Sequence, residues 1–150
     1  MWSAGYKTAL ISLLIVFSGV GCSKQVQRSA TLTVGGQTIT VRVAETQAEK
    51  ERGLAGTSEL SWDEGMLFPF ASKQELVFWM KGMLMPINII WIADDHIVGI
   101  EENVPLPPAG TPDEALPTYR SPVPADTALE VKAGFAEKYG LRVGDAVIYR

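Results

Sequence analysis

Trp79 and Lys81 stand two residues apart in the stretch VFWMKGMLMPINIIWI, Val77 to Ile92. On an extended strand their side chains leave the same face. An indole beside a cation suits a sugar ring or an anionic group. Arg52 at the end of a helical stretch, Asn88, and the adjacent Tyr119 and Arg120 add cationic and hydrogen-bonding groups, and these six residues form the candidate binding set. Against that stands the ordinary expectation that Trp79, between Phe78 and Met80, is buried in the core. Lys81 and Arg52 would then only satisfy carbonyls or acids at a sheet end. Paired carboxylates are the other available chemistry. Two of Asp63, Glu64, Glu130 and Asp145 could act as acid and base on a glycan if folding set them ~5–10 Å apart.

Other chemistries are excluded by what the chain lacks. It has one histidine, His96, in ADDHIVG, a polar break between apolar runs that reads as an exposed hairpin turn. It has one cysteine, Cys22. A Ser-His-Asp triad, a histidine-rich metal centre and a zinc-thiolate site are therefore not expected. Asp94 and Asp95 lack EF-hand spacing. No cofactor and no metal is expected. With 13 basic against 17 acidic residues the net charge is −4, and no block of lysine or arginine occurs, so nucleic acid is not an expected partner.

The N-terminus reads MWSAGYKTALISLLIVFSGVGCSK: Lys7, an uncharged apolar run from Ala9 to Val20, then small residues before Cys22. That is the order of a secretory signal, and the run is short of the ~20 residues that span a bilayer. The segment resembles a lipobox, with Gly19 where Leu is usual. Residues 1–21 are read as a lipoprotein-type signal peptide and 22–29 as a lipidated cysteine with a short polar tether. Cys22 would carry a diacylglycerol on sulfur and an acyl chain on nitrogen, since stable anchoring needs more than one chain. Ser23 after it resembles outer-membrane sorting where two membranes exist. The expected location is an exported, lipid-anchored one facing the periplasm or cell exterior. Cleavage would leave 129 of the 150 residues and remove one basic group, moving the net charge from −4 to −5. With Cys22 used as an anchor, no disulfide can form within the domain.

Residues 30–150 read as one mainly β domain. ATLTVGGQTITVRVA alternates on both sides of Gly35-Gly36, a hairpin pattern. In ETQAEKERGL, Thr46 and Glu49 are spaced as a capping box and Gly53 is placed to end a two-turn helix. EGMLFPF, LVFWMK, INIIWIA and HIVGIEENV read as strands, and ALEVKAG and VGDAVIYR as two more around a short helix in FAEKYG. Seven of the nine prolines fall between Asn103 and Thr127, which therefore reads as a long irregular loop.

The motifs ERGL, EGMLFPF, FWMKGMLMPINIIWI and YRSPVPADTALEVKAGFAEKYGLRVGD, in that order from about Thr31 to Arg150, resemble the family catalogued as domain of unknown function 192. Gly82-Met83 replace the family's usual Asn-Thr, and Pro86-Ile87-Asn88 its usual Pro-Leu-Asp, so a polar pair and a carboxylate are missing. The resemblance implies a compact β fold, either a two-sheet sandwich of jelly-roll character or a distorted barrel, with two short peripheral helices. It implies no activity.

The function expected from these readings is a membrane-anchored envelope lipoprotein, a non-catalytic domain for an unidentified envelope ligand or protein. The alternative is an envelope glycan hydrolase using paired carboxylates. Replacing Cys22 with Ser is expected to move the protein from the membrane fraction to the soluble one. An unmodified thiol in the mass of the membrane-extracted protein, or unchanged partitioning of the variant, would remove the anchor.

Overall fold

The computed structural model describes residues 27–150, so Cys22 and the signal-like segment lie outside it. The first two strands, β1 (Ser29–Val34) and β2 (Gln37–Val43), pair antiparallel through Gly35 and Gly36. Both glycines have positive φ, 57° and 74°, which is what a two-residue turn matched to the strand twist demands. The next strand, β3 (Glu64–Gln74), runs parallel to β2, with Val41 opposite Gly65 and Val43 opposite Leu67. Parallel neighbours cannot be joined by a hairpin, so the chain crosses over outside the sheet. That crossover carries helix α1 (Gln47–Arg52). Its capping box is complete: the Thr46 hydroxyl accepts from Glu49 N, and the Glu49 carboxylate accepts from Thr46 N. It ends at Gly53, whose φ of 50° and ψ of −135° suit no side-chain-bearing residue.

The remaining strands are β4 (Val77–Trp79), β5 (Ile87–Ala93), β6 (His96–Val104), β7 (Thr118–Arg120), β8 (Ala125–Lys132) and β9 (Val147–Tyr149), with helix α2 (Phe135–Tyr139) before the last. Seven of them form one curled sheet in the order β6-β5-β8-β3-β2-β1-β9, and β4 pairs with β7 as a separate two-stranded sheet. The two outer strands of the large sheet meet at one end. His96 bridges Ala146, Ile97 N donates to Asp145 O at 2.9 Å, and Val147 N donates to Asp95 O at 2.8 Å. The result is a distorted barrel with a small sheet packed on its outside.

Alternation along each strand divides the apolar residues between two cores. Inside the curl lie Leu32, Val34, Ile39, Val41, Leu67, Ile90, Ile92, Leu129, Val131 and Phe135. On the outer face Met66, Phe68, Ile87, Ile89, Trp91 and Ala128 are covered by Leu54, Leu76, Met80 and Met85 from the connections. The stretch Val77 to Ile92 thus supplies strands to both sheets rather than a hairpin within one. Its Ile87, Ile89 and Trp91 point outward to the second core, while Ile90 and Ile92 point inward.

The proline-rich stretch departs from the expectation of a structureless loop. A single 3-10 turn (Asp113–Ala115) lies within it, and Thr118–Arg120 forms β7 between Pro117 and Pro122. β8, flanked on both sides by β3 and β5, begins at Ala125, immediately after the last proline. Proline excludes only its own position from a ladder, so donor-bearing residues between and after prolines remain free to pair.

Phe78 packs edge-on against Phe68 and Trp91, with ring centroids at 5.0 and 5.3 Å. Phe78→Ala is expected to cost about 3 kcal/mol in equilibrium urea unfolding. Lys81→Ala, which loses an exposed pair with Asp113 and a contact with the exposed Trp79 ring, should stay within about 0.5 kcal/mol of the parent. Equal losses for the two would make Lys81 a structural residue.

Candidate functional site

Helix α1 lies on the outer face of the curled sheet and separates two pockets. Residues three and four apart share a helix face. Gln47, Lys50 and Glu51 accordingly border one pocket, and Glu49 and Arg52 with Gly53 border the other.

The first pocket, about 420 Å³, is completed by Phe70 of β3, Val77, Phe78 and Trp79 of β4, and Thr118 of β7. The expectation that Trp79 is core is overturned: its indole is 42% exposed. Phe78 of that short strand and Met80 just after it pack inward, and alternation turns Trp79 to the groove. Lys50 holds its Nζ 4.2 Å from the Phe70 ring centroid and bonds the Pro69 carbonyl. Lys81 places its Nζ 5.4 Å from the Trp79 ring and pairs with Asp113. The groove is therefore an exposed indole and a phenyl ring bordered by an amide, a hydroxyl, a carboxylate and an ammonium group.

The second pocket, about 300 Å³, is lined by Arg42, Glu49, Arg52, Gly53, Thr57 and Met66, with Gln27 at its rim. Below its floor lies Glu130. On the outer face Arg42 of β2, Met66 of β3, Glu130 of β8 and Ile89 of β5 stand opposite one another in a single row across four strands. Glu130 is only 4% exposed, and its Oε2 has no hydrogen-bond partner. Burial pushes its carboxyl up to about 8, against the pull of the Leu54 amide and the positive charge of Arg42. It is protonated at neutral pH.

The six sequence-derived binding residues do not converge. Trp79 borders the first pocket and Arg52 the second, on opposite faces of α1. Lys81 lies beside Trp79. Tyr119 stands opposite Phe78 in the β4–β7 ladder and packs against the outer core. Arg120 is exposed and paired with Glu75. Asn88 is fully buried in the barrel wall, where its Oδ1 accepts from Asn103 N at 2.9 Å and Gly134 N at 3.2 Å. It pins the end of β6 and the turn before α2. The carboxylates disperse as well. Glu64 accepts from Ser61 N and Asp145 from Arg142 N, each within its own turn. Sequence reasoning missed Gln47, Lys50, Glu51 and Phe70. The first three carry a usable signal, the i, i+3, i+4 spacing of one helix face; Phe70 carries none that identifies it.

Fold and pockets together define a small β-barrel domain whose crossover helix parts an aromatic groove from a basic pocket. The chain belongs to the DUF192 family, described as "Uncharacterized ACR", whose model matches residues 30–149. Among solved structures it is similar to a protein from Sinorhizobium meliloti 1021 provisionally described as a transcription regulator. That match has 27% identity and a TM-score of 0.71, covering 82% of this chain and 95% of the other. It is also similar to a protein of unknown function from Novosphingobium aromaticivorans DSM 12444. There the identity is 27% and the TM-score 0.69, over 81% of this chain and 84% of that one. No curated protein matches the chain.

Because folded Glu130 keeps a proton that the unfolded chain releases near 4.5, its contribution is full below pH 4.5 and is lost as pH rises to about 8. The loss is about 1.4 kcal/mol per pH unit, on the order of 5 kcal/mol over the interval. Glu130→Gln, neutral throughout, is expected to be the more stable protein at about pH 9 and to lose that advantage toward about pH 5. Urea midpoints across this range check it; parallel profiles for the two proteins would place the titration elsewhere.

Proposed function

We propose that this protein is a lipid-anchored envelope domain that binds a glycan without hydrolysing it, through the groove between α1 and β4. The exposed Trp79 indole, which lines that groove together with Phe70, carries the reading. Exposing an indole forgoes its burial, and a flat apolar face offers a surface for the C–H face of a sugar ring. Gln47, Glu51, Lys50 and Thr118 at the border supply donors and acceptors for ring hydroxyls. The envelope location rests on the signal-like run ahead of Cys22.

Hydrolysis by paired carboxylates has no comparable support. Glu130 has the raised proton affinity of a general acid, but the carboxylate of its neighbouring pocket, Glu49, is engaged in the α1 cap. The regulator description of the Sinorhizobium meliloti protein is not carried over as DNA binding, because this chain has a net charge of −4 and no run of basic residues.

Titration of the full chain with soluble oligomers of N-acetylglucosamine and of glucose, followed by tryptophan fluorescence, is the test. One of the two series should quench emission saturably, and Trp79→Ala should abolish the quench while leaving the buried Trp91 signal in place. Saturable binding that survives Trp79→Ala, or none to either series, would overturn the reading.

A further inference from the structure

The second pocket holds two guanidinium groups and no ion pair. Arg42 enters from the outer face of β2 and Arg52 from the end of α1, and among the described residues neither is paired with a carboxylate. Among the described residues that line the pocket the one carboxylate is Glu49, whose Oε2 accepts from Thr46 N at 2.8 Å, Glu45 N at 3.0 Å and Thr46 Oγ1 at 3.0 Å, and it sets one negative charge against two positive ones. Glu59 and Glu64 face Arg42 from a separate hollow on its other side, where Glu64 accepts from Ser61 N.

The natural counterion of Arg42 would be Glu130, two strands along the same row. That carboxyl is enclosed beneath Gly53 and Met66 with Oε2 unpartnered, and a Cβ added at Gly53 would lie 3.6 Å from it. In its neutral form it offers Arg42 no opposite charge. Two guanidinium groups against the single carboxylate of Glu49 leave the pocket with a net positive lining in a chain that is acidic as a whole, which favours an anion.

We infer that this pocket binds the oxyanion group of a small ligand, a phosphate, sulfate or carboxylate, between the guanidinium groups of Arg42 and Arg52. The site is separate from the aromatic groove and does not depend on the glycan reading. Its affinity is linked to Glu130. The charged groups around that carboxyl are Arg42 from β2 and Glu49 and Arg52 from α1; Met66 and Phe68 of β3, Ile89 of β5 and Leu54 are uncharged. When Glu130 ionises, near 8, it neutralises Arg42 and competes with the ligand.

Inorganic sulfate is the probe, because its charge is constant across the range of interest. Calorimetric titration of the full chain in a non-ionic detergent, at constant ionic strength, should show one saturable site at about pH 6.5. It should weaken roughly tenfold in Arg42→Gln and in Arg52→Gln, and by a similar factor in the parent at about pH 9. Glu130→Gln should keep its pH 6.5 affinity at the higher pH. Arg52 is exposed, so its variant tests the site even if substitution at Glu130 or Arg42 disturbs folding. Repeating the titration in phosphatidylglycerol vesicles distinguishes the source: a lipid headgroup seated in the pocket suppresses the sulfate heat in the parent, and a soluble ligand leaves it. Absence of saturable heat in detergent, or equal affinity in the parent and Arg52→Gln, overturns the site.

Discussion

The parallel pairing of β2 with β3, in a sheet otherwise antiparallel, governs the outside of this molecule. It forbids a tight turn after Val43 and sends residues 44–63 across the outer face. That excursion folds α1 down and lays Leu54 over Met66 and Phe68. It also brings Gly56 to the β4–β5 connection, where its amide donates to Gly82 O at 2.9 Å. Both pockets are bounded by this one crossover. Its short helix has little stability of its own, so the complete capping box and the burial of Leu54 are what hold it.

The same crossover creates a costly feature of the outer core. Glu130 sits midway along a central strand, between Met66 and Ile89, under a lid made by Gly53 and Leu54. An apolar residue there would complete the packing, and an ionised carboxylate would leave a charged Oε2 with no hydrogen-bond partner. The fold resolves this by keeping the proton on. Stability is spent on a neutral acid next to two arginines that form no ion pair among the described residues, which couples the interior of the sheet to the charge of the pocket above it.

Presentation of the aromatic groove is a by-product of packing. Phe68, Phe78 and Trp91 form an edge-to-face series that ties the small sheet to the barrel. With Phe78 held inward by two rings, the next residue of β4 has to face out. Trp79 is therefore displayed by a residue that belongs to the core, and the groove has rigid walls on the β4 side. On the α1 side, Lys50 is fixed by the Phe70 ring and the Pro69 carbonyl.

What the sequence by itself determined is local. The Gly35-Gly36 and Asp94-Asp95 hairpins, the Thr46–Glu49 cap, the stop at Gly53, α2 ending at Gly140, and the division of Ile87, Ile89 and Trp91 from Ile90 and Ile92 all follow from residues within a few positions of one another. Turn chemistry, capping and period-two alternation act at that range. Only the tertiary structure decided which strands became neighbours. That choice gave β4 its partner β7 across a proline-rich stretch, put α1 between the groove that Trp79 lines and the pocket that Arg42 lines, and enclosed Glu130 while leaving Trp79 exposed. A residue's solvation depends on chain segments 40 to 80 positions away, as Leu54 covers Glu130 and Tyr119 pairs opposite Phe78. No local pattern encodes that distance, so a carboxylate in an apolar strand and an indole beside a phenylalanine read alike until the sheet is closed.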